Sequence, residues 1–194
     1  MKSQEYQVML SVGYVYIVIL GIVKEALYYG QVGIDYFQYA TITDILISPI
    51  SDIARNTTTL TIFGGFLILT FLLPGWLAKQ KDKKWVQSSF SIDPSSEPKA
   101  IQSYLSRVCI IMLCVGLMGF YVGRGIGNGS KVSKKINEGS IEFEDKLSLT
   151  NGETEAIFLI GKNSSFLFYI AEGKEEIEVS SINSGWLKSI IENR

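Results

Sequence analysis

Asp35, Asp44 and Asp52 are the side chains on which chemistry could be built, because they form the only acidic set near an apolar run in a chain without histidine. The interval from Asp44 to Asp52 puts two carboxylates on one helix face, provided Pro49 bends that helix rather than ending it. Such a pair can draw cations to a pore mouth or hold a hard cation through oxygen. The simpler alternative is a set of solvated surface acids. Lys24 and Glu25 are the second candidate, an adjacent charged pair inside an otherwise apolar stretch. If their helix continues to Tyr29 they sit about a turn below the membrane surface, where uncompensated charge is costly and marks function. If the apolar stretch ends at Val23, they snorkel toward the headgroups.

The other chemistry-bearing residues assign no reaction. Lacking histidine, the chain lacks the commonest general base, metal ligand and pH switch. Cys109 and Cys114 are five apart, about 140° around a helix, so neither a disulfide nor a metal pair is implied and both read as small packing residues. Ser164-Ser165 and Ser180-Ser181 have no base or elbow motif beside them. The run from Gly123 to Gly129 superficially resembles a phosphate loop, but it follows an apolar helix and lacks the Gly-Lys-Ser/Thr ending. It reads as a flexible linker. No catalytic residue, metal ligand or cofactor is assigned, and the chain is expected not to be an enzyme.

The elements that must position these residues begin with three apolar runs, at about 8–29, 60–77 and 105–123. Each approaches the roughly 20 residues needed to span a bilayer. Lys2 before the first run suggests a secretory signal, but no small-x-small cleavage site follows, and the run reads as an anchor. The basic loop 79–104 carries Lys79, Lys81, Lys83, Lys84 and Lys99 and should be cytoplasmic, with the N-terminus on the same side. Three crossings then send the C-terminal segment outward, although Arg124, Lys131, Lys134 and Lys135 argue the other way. Trp85 and Phe90 beside the lysines would rest on the inner leaflet, aided by anionic lipid. Ser88 to Ala100, rich in Ser and Pro, reads as irregular.

Between the first two runs, segment 36–53 repeats apolar residues at helical spacing. It is an amphipathic helix starting near Thr41 with Asp44 in its first turn, kinked or ended by Pro49, and either interfacial or re-entrant. Gly64 and Gly65 on the second run, and Gly119, Gly123 and Gly127 on the third, are spaced for close helix packing. Beyond a linker at 130–138, residues 139–194 change to strand periodicity, with turns at Asn151-Gly152, Gly161-Lys162-Asn163 and Gly173-Lys174. Ile141 and Phe143 open the pattern, and Trp186, Leu187, Ile190 and Ile191 form a last strand or short helix. This is an antiparallel β module of four or five strands with an SH3-like or related half-barrel as its natural architecture. Ten acids against five bases in it make nucleic acid an unsuitable partner.

Val32-Gly33-Ile34-Asp35-Tyr36-Phe37-Gln38-Tyr39 followed by Ile42-Thr43-Asp44-Ile45-Leu46-Ile47-Ser48-Pro49 resembles a pattern in uncharacterised bacterial inner-membrane proteins after their first span. Phe158-Leu159-Ile160-Gly161-Lys162 and Phe166-Leu167-Phe168-Tyr169 are similar to the terminal β segment of such proteins. The resemblance covers about a third of the chain. It implies a bacterial inner membrane and no activity or site residues. The expectation is a transmembrane domain (1–129) joined to a small β domain (139–194), working in the lipid bilayer as a non-enzymatic accessory or assembly subunit. Its partner would be another membrane protein or a further copy of itself. The alternative is a homo-oligomeric channel or membrane-perturbing effector gated by the β module.

Overall fold

Apolar length dictates the helical part. The computed structural model describes residues 2–55, 57–93, 95–185 and 187–191, so Trp186 and Pro94, placed above in a last strand and a loop, lie outside the described residues. Helices α1 (Lys2–Val32), α2 (Ile42–Arg55), α3 (Thr57–Lys79), α4 (Lys84–Phe90) and α5 (Pro98–Asn137) precede the sheet, with a 3-10 turn at Tyr36–Gln38. Three of them, α1, α3 and α5, are long and apolar enough to cross a membrane. The chain divides into two compact units, residues 1–48 with 122–194, and residues 49–121.

In the first unit α1 stops where glycine allows it. Gly33 takes φ +82° and the Ile34 amide reaches back to the Tyr29 carbonyl at 3.0 Å, closing the last turn. The C-terminal part of α5 ends the same way, with Gly139 at φ +64° and the Ser140 amide on the Lys135 carbonyl at 3.0 Å. Residues 123–129 and 130–138, expected as linkers, are therefore corrected: helix continues to Asn137. The physical reason is that Gly125 and Gly129 are helix-contact residues rather than hinges. A helix of 40 residues is about 60 Å long, twice the ~30 Å hydrocarbon thickness.

The sheet comprises β1 (Asp145–Leu149), β2 (Thr154–Lys162), β3 (Phe166–Ala171), β4 (Glu178–Ser181) and β5 (Leu187–Ile191), antiparallel throughout in the order β4-β3-β2-β1-β5. Interior strand β3 reads as an unbroken apolar run because both of its faces are covered. Phe168 and Ile170 join Tyr29, Tyr36 and Ile160 in one core, whereas Leu167, Tyr169 and Ala171 join Leu147 and Ile157 in another. The turn expected at Gly161-Lys162-Asn163 begins later. Gly161 and Lys162 extend β2 through a bulge after Leu159, and Asn163 makes the turn by accepting the Ser165 and Phe166 amides at 2.9 and 2.7 Å. Ile141 and Phe143, expected in strands, lie outside them but pack into the first core, as does Ile177 just before β4.

In the second unit α3 and the first part of α5 run antiparallel. Leu77 and Ala78 meet Ile101 and Leu105, and an ideal Cβ on Gly116 would lie 3.7 Å from the Phe66 ring. Segment 88–100 is not wholly irregular, since α4 extends to Phe90 and α5 begins at Pro98, a favoured first helical residue. Pro49 sits inside α2 without ending it. The Tyr121 hydroxyl donates to its carbonyl at 2.8 Å.

Candidate functional site

The first unit gathers its polar and aromatic residues where α1, α2 and the β2–β3 hairpin meet. The lowest layer is Lys24, Glu25 and Ser48. The Lys24 ammonium lies 3.0 Å from Glu25 Oε1 and donates to Ser48 Oγ at 2.8 Å, while the Ser48 hydroxyl donates to the same Glu25 oxygen. The two charged side chains are only 14% and 8% exposed, so neither snorkels free and each neutralises the other. Gly21, one turn earlier on α1, makes this possible. Any Cβ there would collide with the Ile45 carbonyl, so glycine is what lets α2 lie against α1.

Above that layer stands an aromatic seat. Tyr29 stacks on Tyr36 with ring centroids 4.3 Å apart and 7° between planes, and Phe168 from β3 leans on both at 5.2 and 5.9 Å. Tyr39 bridges Phe166 and Phe168 at 5.2 and 5.7 Å. The Tyr28 hydroxyl donates to the Ile160 carbonyl at 2.6 Å. The Tyr29 hydroxyl occupies the space a side chain at Gly161 would need, which accounts for glycine inside β2. Burial, then the charges of Glu25 and Asp44, push the Tyr36 hydroxyl above its ordinary range and keep it neutral.

Asp44 joins the seat from α2. Its carboxylate accepts the Thr41 amide at 2.9 Å and the Thr41 hydroxyl at 2.7 Å, while the Asp44 amide donates back to Thr41 Oγ1 at 3.2 Å. That reciprocal pattern is a capping box, with aspartate at the third helical position. The same carboxylate accepts the Ser164 amide at 3.0 Å and the Ser164 hydroxyl at 3.2 Å, tying the β2–β3 turn to the helix start. Burial would raise its pKa, but the hydrogen bonds from Thr41 and Ser164 outweigh burial and hold the carboxyl below its ordinary value. The Asn163 side-chain amide adds a bond to the Tyr39 carbonyl at 3.0 Å.

The acids considered together in the sequence separate by role. Asp44 is a cap and a staple, exposed Asp35 accepts the Gln38 amide at 2.8 Å, and half-buried Asp52 belongs to the other unit. Among the described residues, no three Cys, Asp or Glu side chains are grouped so that they could hold a metal ion. Cys109 and Cys114 are not joined in a disulfide.

The glycines sort by position too. An ideal Cβ at Gly125 would lie 2.8 Å from the Lys24 carbonyl oxygen, and at Gly129 2.6 Å from that of Tyr28. Both numbers rise together, so α1 and the end of α5 run parallel. At Gly64, Gly65, Gly119, Gly123 and Gly127 the added carbon meets nothing within 4 Å among the described residues. Close packing inside the chain therefore uses Gly21, Gly125 and Gly129, which the sequence analysis passed over. Gly125 and Gly129 carry the same four-residue spacing as the chosen set. Spacing alone could not select between the two rows.

Compared with protein-family models, curated proteins and solved structures, the chain matches none.

Proposed function

We propose that this chain is a non-enzymatic membrane subunit that assembles through its helices and presents its β module to a partner. One observation carries the reading: in each candidate span, only 17–18% of the most apolar window is buried within the chain. Helices that bury so little of themselves leave broad faces for lipid and for other helices, and small residues such as Gly119, Gly123 and Gly127 permit close approach on one of them. The parallel course of α1 and the end of α5 within the first unit supports a path of three crossings. In that path the β module lies beyond the C-terminal ends of α1 and α5, outside the cell, with the N-terminus and loop 79–104 cytoplasmic. The bacterial inner membrane rests on the resemblance alone. A β5 strand returning beside β1 is compatible with an SH3-like half-barrel.

Crosslinking in native membranes, followed by purification in mild detergent, tests the proposal. A second copy or another membrane protein should be recovered; a lone monomer in both experiments overturns it. The channel reading ranks second because Asp44 and Glu25, two of its candidate groups, are engaged by neighbouring side chains. Proteoliposome flux that falls on Asp44→Asn and Asp52→Asn would reverse that ranking.

A further inference from the structure

Where α3 turns back toward α5, the second unit carries a surface that the packing of the bundle does not use. Trp76, in the last turns of α3, and Trp85, on α4, are 51% and 46% exposed, yet their ring centroids lie 6.3 Å apart. Two exposed indoles from different elements need a rigid frame to stay together, and the frame is present. Val86 on α4 is fully buried with Leu77, Ala78, Ile92, Ile101 and Leu105. The Gln80 amide bonds the Leu77 carbonyl at 2.9 Å and the Lys83 amide bonds that of Gln80 at 3.0 Å. Gln87 reaches the Lys81 carbonyl at 2.9 Å, and Lys81 itself is directed to the Ser96 carbonyl at 3.3 Å. Phe90, expected on the membrane surface beside Trp85, instead packs against the core, so Trp76 is the partner of Trp85.

Around the tryptophan pair Lys79, Lys83 and Lys84 are exposed. Of the neighbouring acids, Asp93 is occupied by the Ser95 amide and hydroxyl, while Asp82 and Glu97 are exposed. One turn before Trp76, Phe71 and Leu72 are 77% and 66% exposed on a helix apolar enough to span a bilayer. The residue sequence from those side chains to the indoles and then the lysines follows a leaflet from hydrocarbon through interface to phosphate. Tryptophan prefers that interface because its ring is apolar and its N–H is polar.

We propose that Trp76, Trp85, Lys79, Lys83 and Lys84 form a contact site for anionic phospholipid at the α3–α4 turn. The indoles lie among the glycerol and upper acyl groups, and the three ammonium groups reach lipid phosphates. The site requires only that α3 spans, and is independent of whether the helices assemble with a partner.

The test uses the full chain carrying Trp186→Phe, so that fluorescence comes only from Trp76 and Trp85, in vesicles mixing phosphatidylcholine with phosphatidylglycerol. Bromination of one lipid at a time reports which is adjacent to the indoles. Quenching should favour brominated phosphatidylglycerol beyond its bulk fraction and lose that preference at high salt. Each lysine replaced by glutamine should lower the preference by about fivefold. Equal quenching by both lipids would reduce the pair to an ordinary aromatic belt and overturn the proposal. A preference unchanged in the triple Lys→Gln variant would also overturn it, as would one abolished by inorganic phosphate but not by sodium chloride of the same ionic strength, which assigns the site to a free anion. Because those lysines are exposed, folding of the variants is not at issue, and the salt titration of the unaltered lysines is an independent arm.

Discussion

Along α5, the glycines at 125 and 129 lie against another helix, while those at 119, 123 and 127 are open. At the first two, backbone atoms of α1 come so close that even a methyl group has no room; at the other three a methyl meets nothing among the described residues. Positions 123 and 125 differ by two residues, about 200° around a helix, so the rows lie on nearly opposite faces. One spacing thus serves two purposes: a contact completed within the chain, and a face left for lipid or another protein. The largest expected effect tests that distinction. Gly129→Leu or Gly125→Leu should cost about 3 kcal/mol by overpacking against the α1 backbone. Gly123→Ala should be neutral, or stabilising by up to about 1 kcal/mol through helix propensity. Thermal unfolding in detergent measures both, and equal losses at the two rows would erase the distinction.

The same pair of rows shows what the sequence could and could not reveal. Three apolar runs and an antiparallel module of four or five strands were legible because length and periodicity are local properties, and the Thr41–Asp44 helix start was legible because a capping box is local too. The seat was not, since it depends on Tyr28 meeting Ile160, 132 positions later, and on Asp44 meeting Ser164, 120 positions later. Gly161 invited a turn because glycine favours turns, yet it is there for the Tyr29 hydroxyl. Gly123 to Gly129 invited a linker because glycine lowers helix propensity. Packing against α1 offset that loss at Gly125 and Gly129. Lys24 and Glu25 were visible as an anomaly, but their shared hydrogen-bond partner Ser48 was not.

That ion pair is also packed closely within the first unit, against Ser48 of α2, and it supplies an effect of comparable size. Lys24→Met should cost about 3 kcal/mol, because Glu25 is then left buried with only a hydroxyl for company, and the double change to Met at both positions should recover most of the loss. The exposed Lys174–Glu178 pair on the β module is the natural control. Breaking it by Lys174→Met should cost far less than Lys24→Met, since solvent screens the pair. A large loss at Lys174 together with a small one at Lys24 would show that closeness of packing is not what separates the two regions.

The smallest effect is a pH response confined to the seat. Asp44 has a folded-state pKa below its ordinary value, so its hydrogen bonds to Thr41 and Ser164 stabilise the folded form fully above the unfolded value of about 3.9. As pH falls through the lowered folded value the carboxylate takes up a proton and that contribution is lost. Protection of the Ser164 amide against hydrogen exchange should therefore weaken below about pH 4 and stay constant above about pH 5. Asp44→Asn should give the weakened protection at every pH and remove this step. Glu178, also held below its ordinary value by its hydrogen bond with Lys174, titrates in the same direction but on β4, so it can loosen the sheet edge without opening the Ser164 turn. The open glycine row carries no titrating group of its own. Acid that altered helix association there while leaving the Ser164 amide protected would place the sensitive carboxylate outside the seat.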